Sequence, residues 1–251
     1  RKLIHMRRIL IFFLIQLSML LSQSIDEIFN NGNQFYNEKK YKKASLEYEK
    51  ILDKDFFSED LYLNLGNSYF QISEHGLARW SYEMGLKLNP RNADLVNNNN
   101  VNKNYIQNYI EVPKNNIIDF INLFFDSFSL NQFLLINSII IFLSSISFFI
   151  KKVFRKKIFD KFYIIFVTSS FILISITFIK NSWDKNNNFT IIIKKESIVY
   201  SAPFLNNTIK QSIFFSGNKV KVIQKTESWI EVSSFDGRKG WIQAQHVRNL
   251  N

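Results

Sequence analysis

Apolar residues along this chain are gathered into three blocks, with amphipathic and alternating stretches between them. The first block runs from Ile9 to Leu21, broken only by Gln16 and Ser18, behind the cations Arg7 and Arg8. A basic start, a short apolar run and then Ser22-Gln23-Ser24 predict a secretory signal sequence over 1–24, cleaved near Ser22 or Ser24. The second block, Ser127 to Ile150, carries no charge, and its most apolar part is 133–150. The third, 162–179, is also uncharged. A helix needs about 20 residues to cross roughly 30 Å of hydrocarbon, so 133–150 and 162–179 are each expected to form a transmembrane helix. Six cations and one acid lie between them in 151–161. A short basic loop stays on the cytoplasmic side, which would place the chain before 127 and after 180 outside. The signal sequence predicts the same side for the first domain, and the two signals are independent. The apolar juxtamembrane segment 113–132 is read either as an interfacial helix or as an extension of the first span.

Residues 25–90 repeat themselves at an offset of 34. Gly32 matches Gly66, Asn33 matches Asn67, Phe35 matches Tyr69, Ala44 matches Ala78 and Tyr48 matches Tyr82. Small residues let two helices approach closely, and the aromatic residues fill the space between hairpins. A 34-residue period of this kind resembles the tetratricopeptide (TPR) repeat. The spacing predicts helices over 25–37, 41–53, 59–71 and 75–88, with Leu88-Asn89-Pro90 as a stop. Two repeats rarely stand alone. A further helix over 93–110, packed through Val101, Tyr105 and Ile106, is therefore expected to cap a domain spanning 25–112. The resemblance implies a binding groove on the inner face, with the Asn33 and Asn67 amides facing a ligand's main chain and Phe29, Tyr36, Leu63 and Phe70 beside them. The same residues could instead serve only to join helix to helix.

Beyond a polar linker expected at 180–189 the texture changes. Apolar and polar residues alternate through Ile191, Ile193, Ile198, Val199, Val220, Val222, Trp229 and Val232, and turns fall at Ser216-Gly217-Asn218 and Asp236-Gly237. Period-2 runs broken by glycine predict short antiparallel strands in a small barrel over 190–251. The order Ala202-Pro203, Gly217-x-x-Val220-x-Val222, Trp229-x-x-Val232 and Asp236-Gly237-x-x-Gly240-Trp241-Ile242 resembles the bacterial SH3-like domain. Trp229, Val232 and Trp241 are expected in the core or packed on turns, and no exposed aromatic groove for a proline-rich peptide is evident.

Composition adds exclusions. The net charge of +11 suggests nucleic acid, but its distribution points elsewhere. Residues 26–110 hold ten basic and twelve acidic residues, whereas the excess sits in 1–8 and 151–161, beside apolar blocks; 190–251 is mildly basic, with nine against four. No nucleic-acid partner is expected; the lipid bilayer is. Cysteine is absent, so disulfides, thiolate metal sites and lipid attachment at cysteine are excluded. His5, His75 and His246 lie in unrelated segments, and there is no phosphate loop or nucleophile elbow. No catalytic, metal or cofactor residues are assigned, and a non-enzymatic protein is expected.

The expected fold is a multidomain α plus β chain: a TPR α-hairpin array, a two-helix transmembrane hairpin and a C-terminal SH3-like small β-barrel. That order, with a signal sequence, resembles the BatE-type membrane proteins of the Bacteroidetes aerotolerance clusters. The resemblance implies a multi-pass protein of the bacterial inner membrane with both modules periplasmic. Its implied partners are membrane or periplasmic proteins, among them the von Willebrand factor A-domain proteins of such clusters, and its implied role is a scaffold linked to oxidative or envelope stress tolerance. The alternative is a peptidoglycan-binding module with the TPR as spacer.

Overall fold

A computed structural model describes residues 24–111, 124–125, 127–154, 157–186, 188–205 and 209–250. The expected signal sequence, apart from Ser24, and most of the 113–132 segment lie outside them. The described residues form seven helices and a seven-stranded antiparallel sheet.

The first four helices make two antiparallel pairs. They are α1 (24–37), α2 (Tyr41–Leu52), α3 (Glu59–Gln71) and α4 (His75–Leu88). The Ser58 hydroxyl caps α3 by accepting from the Leu61 amide at 3.1 Å, which satisfies one of the free N–H groups of the first turn. Within each pair a glycine lies against a tyrosine ring. A Cβ on Gly32 would come within 2.5 Å of Tyr48, and one on Gly66 would strike Tyr82. Ala44, Tyr48, Ala78 and Tyr82 are fully buried around these crossings, with Tyr69 beside them and Phe35 half-buried. The 34-residue period thus corresponds to a repeated helix–helix contact.

Helix α5 (Ala93–Lys103) starts at Asn92, whose side chain accepts from the Asp94 and Leu95 amides. It is shorter than the expected 93–110, because Ile106 turns away to bury itself on Gly217 and Asn108 takes a left-handed φ of 47°. Leu95 supplies the packing expected of Val101, which is exposed.

Two long helices follow, α6 (Leu130–Phe154) and α7 (Lys157–Asn186). At 1.5 Å per residue they measure about 37 and 45 Å, and both are long and apolar enough to cross a membrane. They pack on one another, with Ser170 donating to Asn137 at 3.0 Å. Their other faces carry bare apolar side chains: Phe171 is 68% and Phe178 71% exposed. Ser129 and Gln132 cap α6 reciprocally, each amide bonding the other's side chain. Two boundaries differ from expectation. Only 155–156 separate the helices, because the flanking cations continue the helical turns, with Lys151 paired to Asp160 at 3.0 Å. The linker expected at 180–189 is mostly helix: α7 continues to Asn186 and the first strand begins at Phe189.

The strands are β1 (Phe189–Ile192), β2 (Glu196–Tyr200), β3 (Lys210–Phe215), β4 (Lys219–Lys225), β5 (Trp229–Ser233), β6 (Lys239–Gln243) and β7 (Val247–Asn249). Their order across the sheet is β3-β2-β6-β5-β4-β1-β7. One face surrounds a core of Ile192, Val199, Phe214, Val220, Ile230, Val232 and Ile242, with Val222 packed against it. Gly217, between β3 and β4, has φ of 90°, a conformation that side chains disfavour. Gly237 makes the β5–β6 turn, and Gly240 lies against Val199.

The helices and the sheet are not independent modules. Ile191 and Leu250 belong to the helical core, and α4 lies against β1. Arg79, 2% exposed, donates to the Gly217 carbonyl at 2.7 Å and to Glu83 at 2.9 Å, while Lys219 reaches the other Glu83 oxygen at 2.7 Å. A second joint lies beside it. Arg248 forms a two-pronged pair with Glu49 at 2.6 and 2.7 Å, stacks 3.6 Å over the Trp80 ring, and leaves Trp80 Nε1 to donate to the Asn249 carbonyl. Asn218 then ties 107–110 to the sheet, accepting from the Ile110 amide and donating to the Asn108 carbonyl.

Burial alone would raise the Glu83 carboxyl, but Lys219 and then Arg79 outweigh it and hold it down to about 2. Its folded pKa lies below its unfolded one. Its contribution is therefore complete above the ordinary carboxylate range and is lost as pH falls from about 4.5 towards 2. Glu83→Gln leaves the buried Arg79 and the partly buried Lys219 facing a neutral amide and is expected to cost about 3–5 kcal/mol. Chemical denaturation of the full-length protein in detergent checks both, since the variant should also lose part of the acid sensitivity.

Candidate functional site

Two concave surfaces stand out on this joined body. The first lies on the helices and begins with a repeated polar ladder. Tyr48 donates its hydroxyl to Asn33 Oδ1 at 2.7 Å, and Asn64 donates to the same oxygen at 3.1 Å. One period later Tyr82 donates to Asn67 Oδ1 at 2.9 Å and Asn98 at 2.8 Å. Each partner is displaced by 34 residues, so α5 stands to α3 as α3 stands to α1. The asparagines expected to face a ligand thus have their carbonyl oxygens committed within the helical stack. Burial pushes the Tyr48 phenol up to about 12 and raises Tyr82 further, so both stay neutral donors.

Beside the second rung of this ladder lies a groove of about 230 Å³ lined by Tyr36, Asn67, Phe70, Gln71, Asn98 and their neighbours. Three of the six predicted groove residues, Tyr36, Asn67 and Phe70, therefore meet. Asn33 is one rung away, Phe29 packs on the Tyr48 ring at 5.7 Å, and Leu63 packs against the helical core. The Tyr36 phenol is raised by burial and by Tyr41, so it too presents a neutral hydroxyl. Phe70 closes one end, where His75 and Tyr105 stack beside it.

The second concave surface is on the sheet. Trp229 and Trp241 are half-buried on its outer face, not in its core. Strand geometry gives the reason: successive side chains alternate, so residues three apart cannot share a face. With Ile230, Val232 and Ile242 inward, Trp229 and Trp241 must point outward. Tyr200, paired in register with Trp241, meets the Trp229 ring edge-on at 5.5 Å. Exposed Phe204 and Leu205 rise from the β2–β3 connection across from Trp229, enclosing a groove of about 650 Å³ with Gln243 and Gln245 along its rim. This aromatic groove is the feature that sequence reasoning missed. Its signals were present in the offset of Trp229 from Val232 and in the Pro203-Phe204-Leu205 run, which no core position requires.

Both grooves offer aromatic surface with amide and hydroxyl groups, suited to holding an extended polar chain. Among the described residues no group of three or more His, Cys, Asp or Glu side chains is placed to hold a metal ion. The chain matches no protein-family model and no curated sequence.

The ladder separates structural from binding residues by experiment. Asn67→Ala removes the acceptor of a buried tyrosine hydroxyl and is expected to destabilise by about 1–3 kcal/mol. Gln71→Ala, at an exposed position of the groove wall, should change stability less. Thermal unfolding of the two variants in detergent checks the order.

Proposed function

We propose that this protein is a non-enzymatic scaffold of the bacterial inner membrane that recruits protein partners on the periplasmic side. The carrying observation is that two grooves sit on one body, locked together by the Arg79–Glu83–Lys219 and Glu49–Arg248 joints. Recruitment of two chains, or of two parts of one, needs a fixed distance between sites, and these two joints supply it.

In this reading the helix pairs are TPR units, supported by the 34-residue period and the duplicated Asn–Tyr–Asn ladder. The curled sheet is an SH3-like domain, supported by its order of turns and its Gly-Trp-Ile strand. Helices α6 and α7 span the bilayer. Their exposed apolar faces, the cations at the 151–161 turn, and Trp183 stacked on Phe125 at the other end all favour that placement. The chain then leaves and returns on one side, a course that the packing of α4 on β1 supports. The resemblance to BatE-type proteins adds candidate partners, the von Willebrand factor A-domain proteins of the same clusters, and a role in oxidative or envelope stress tolerance.

One observation favours a second reading, binding of peptidoglycan. Trp229, Phe204, Gln243 and Gln245 combine aromatic faces with amides at one groove, a set that can stack on and hydrogen-bond a sugar. Full-length protein in detergent, sedimented with insoluble peptidoglycan, tests it: retention abolished by Trp229→Ala favours the wall, and no retention removes that reading.

A reporter active only outside the cytoplasm, fused after Asp126, between Arg155 and Lys156, and after Asn251, is expected to read on, off, on. Any other order overturns the shared compartment. In-membrane crosslinking should capture partners that are lost, at least in part, with Phe70→Ser or Trp229→Ala. Capture unchanged in both variants would remove the grooves from the scaffold reading.

A further inference from the structure

The bond from Ser170 to Asn137 Oδ1, at 3.0 Å, lies inside the α6–α7 pair, where Ser170 is only 8% exposed. An amide offers two N–H donors and two oxygen lone pairs, and this bond uses one lone pair. Asn137 Nδ2 finds no acceptor among the described residues. Its side chain also reaches outward, into a cleft of about 420 Å³ on the flank of the hairpin. Leu134, Ile174, Thr177 and Phe178 make the mainly apolar wall of that cleft. Thr177 turns its hydroxyl back to the Leu173 carbonyl at 2.8 Å.

Asn137 belongs to the uncharged block 127–150 and lies about 10 Å along α6 from its first residue. In hydrocarbon there is no water to take up a free N–H, and an amide left without an acceptor there is costly. Polar side chains in such positions hold membrane helices together.

We propose, on the reading of α6 and α7 as membrane spans, that this cleft is the contact surface of a two-fold symmetric dimer in which the Asn137 amides of two copies bond each other reciprocally. The occupant of the cleft has to bring a donor and an acceptor to one depth. A second copy, related by a two-fold axis along the membrane normal, brings both there by symmetry. Nδ2 of each copy donates to the Oδ1 lone pair that Ser170 leaves free in the other. Phe178, 71% exposed beside the cleft, adds a ring next to a hollow, a shape that is likewise self-complementary about such an axis. The cations Lys151 and Lys152 lie about 20 Å farther along α6, so two copies can meet near Asn137 and diverge toward their like-charged turns. A dimer presents two copies of each external groove, which raises avidity for a partner with repeated segments.

The chain has no cysteine, so single substitutions give unambiguous disulfide cross-links. In membranes holding the full-length protein under mild oxidation, Leu134→Cys, on the cleft wall, should link two copies. Leu135→Cys, at the same depth and 62% exposed but outside the cleft, should link far less. Energy transfer between labelled copies in vesicles of phosphatidylglycerol and phosphatidylethanolamine measures the dimer itself. Asn137→Leu should raise its dissociation constant roughly tenfold, the scale of paired hydrogen bonds between membrane helices. Ser170→Ala breaks the same bond within the hairpin but leaves the amide in place, so its dimer should persist. A loss equal to that of Asn137→Leu would trace the effect to a loosened hairpin and overturn the proposal. Equal cross-linking at 134 and 135 overturns it as random collision. Alkaline carbonate extraction separates the two levels: release from the membrane pellet defeats the spanning reading and the dimer with it, whereas retention without energy transfer defeats the dimer alone.

Discussion

A carboxylate held between two cations of different elements sets how the helices and the sheet of this structure meet. Glu83 is on α4, Arg79 one turn before it, and Lys219 on β4, more than a hundred residues away in sequence. Taking such charges out of water costs several kcal/mol per ion, which is offset only if every partner is in place. Arg79 must therefore find the Gly217 carbonyl, which requires the left-handed turn at Gly217, which in turn leaves room for Ile106. One electrostatic demand thus determines how β4, the 104–111 segment and α4 meet. An apolar joint of equal area could slide; hydrogen-bonded charges have few alternative registers.

The second joint works on the same principle with a different partition. Arg248 satisfies its charge on Glu49 and its flat face on Trp80, and Glu49 also accepts from Tyr69. Three helices are thereby tied to the last strand. Because β7 pairs only with β1, at the edge of the sheet, its outer side would otherwise present bare backbone groups. Trp80 Nε1 takes up one of them, the Asn249 carbonyl. The ion pair is half-exposed and its Coulomb term modest; its value lies in setting the direction from which the strand approaches.

The helices and strands were legible in the residues because local rules govern them. The 34-residue period, the Ser58 cap and the alternation around Val220 and Ile230 each act within a few residues. The Trp229 and Trp241 placements were legible too, had strict alternation been applied to them. The joint was not. Glu49, Arg79, Glu83, Lys219 and Arg248 carry no pattern that distinguishes them from surface charge, since what buries them is a contact between segments 130 or more residues apart. The same holds for Asn98 and Asn102. They sit in a run that composition alone could explain, yet Asn98 completes the ladder at Asn67 and Asn102 donates to the His75 carbonyl.

The joint also resolves why so short a helical array suffices. Two helix pairs and one further helix bury little, and a stacked array needs its open end covered. Here α5 continues the ladder on one side through Asn98 and Leu95, while the sheet covers the face of α4 with Ile191, Leu250 and Phe189. The helical core therefore runs on into the sheet, which takes the place of missing repeats. Since Ile192 of the same strand faces the sheet's own core, adjacent residues of β1 serve the two cores in turn. Strand alternation makes that division possible, and it means that neither half would keep its packed surface if the other were removed.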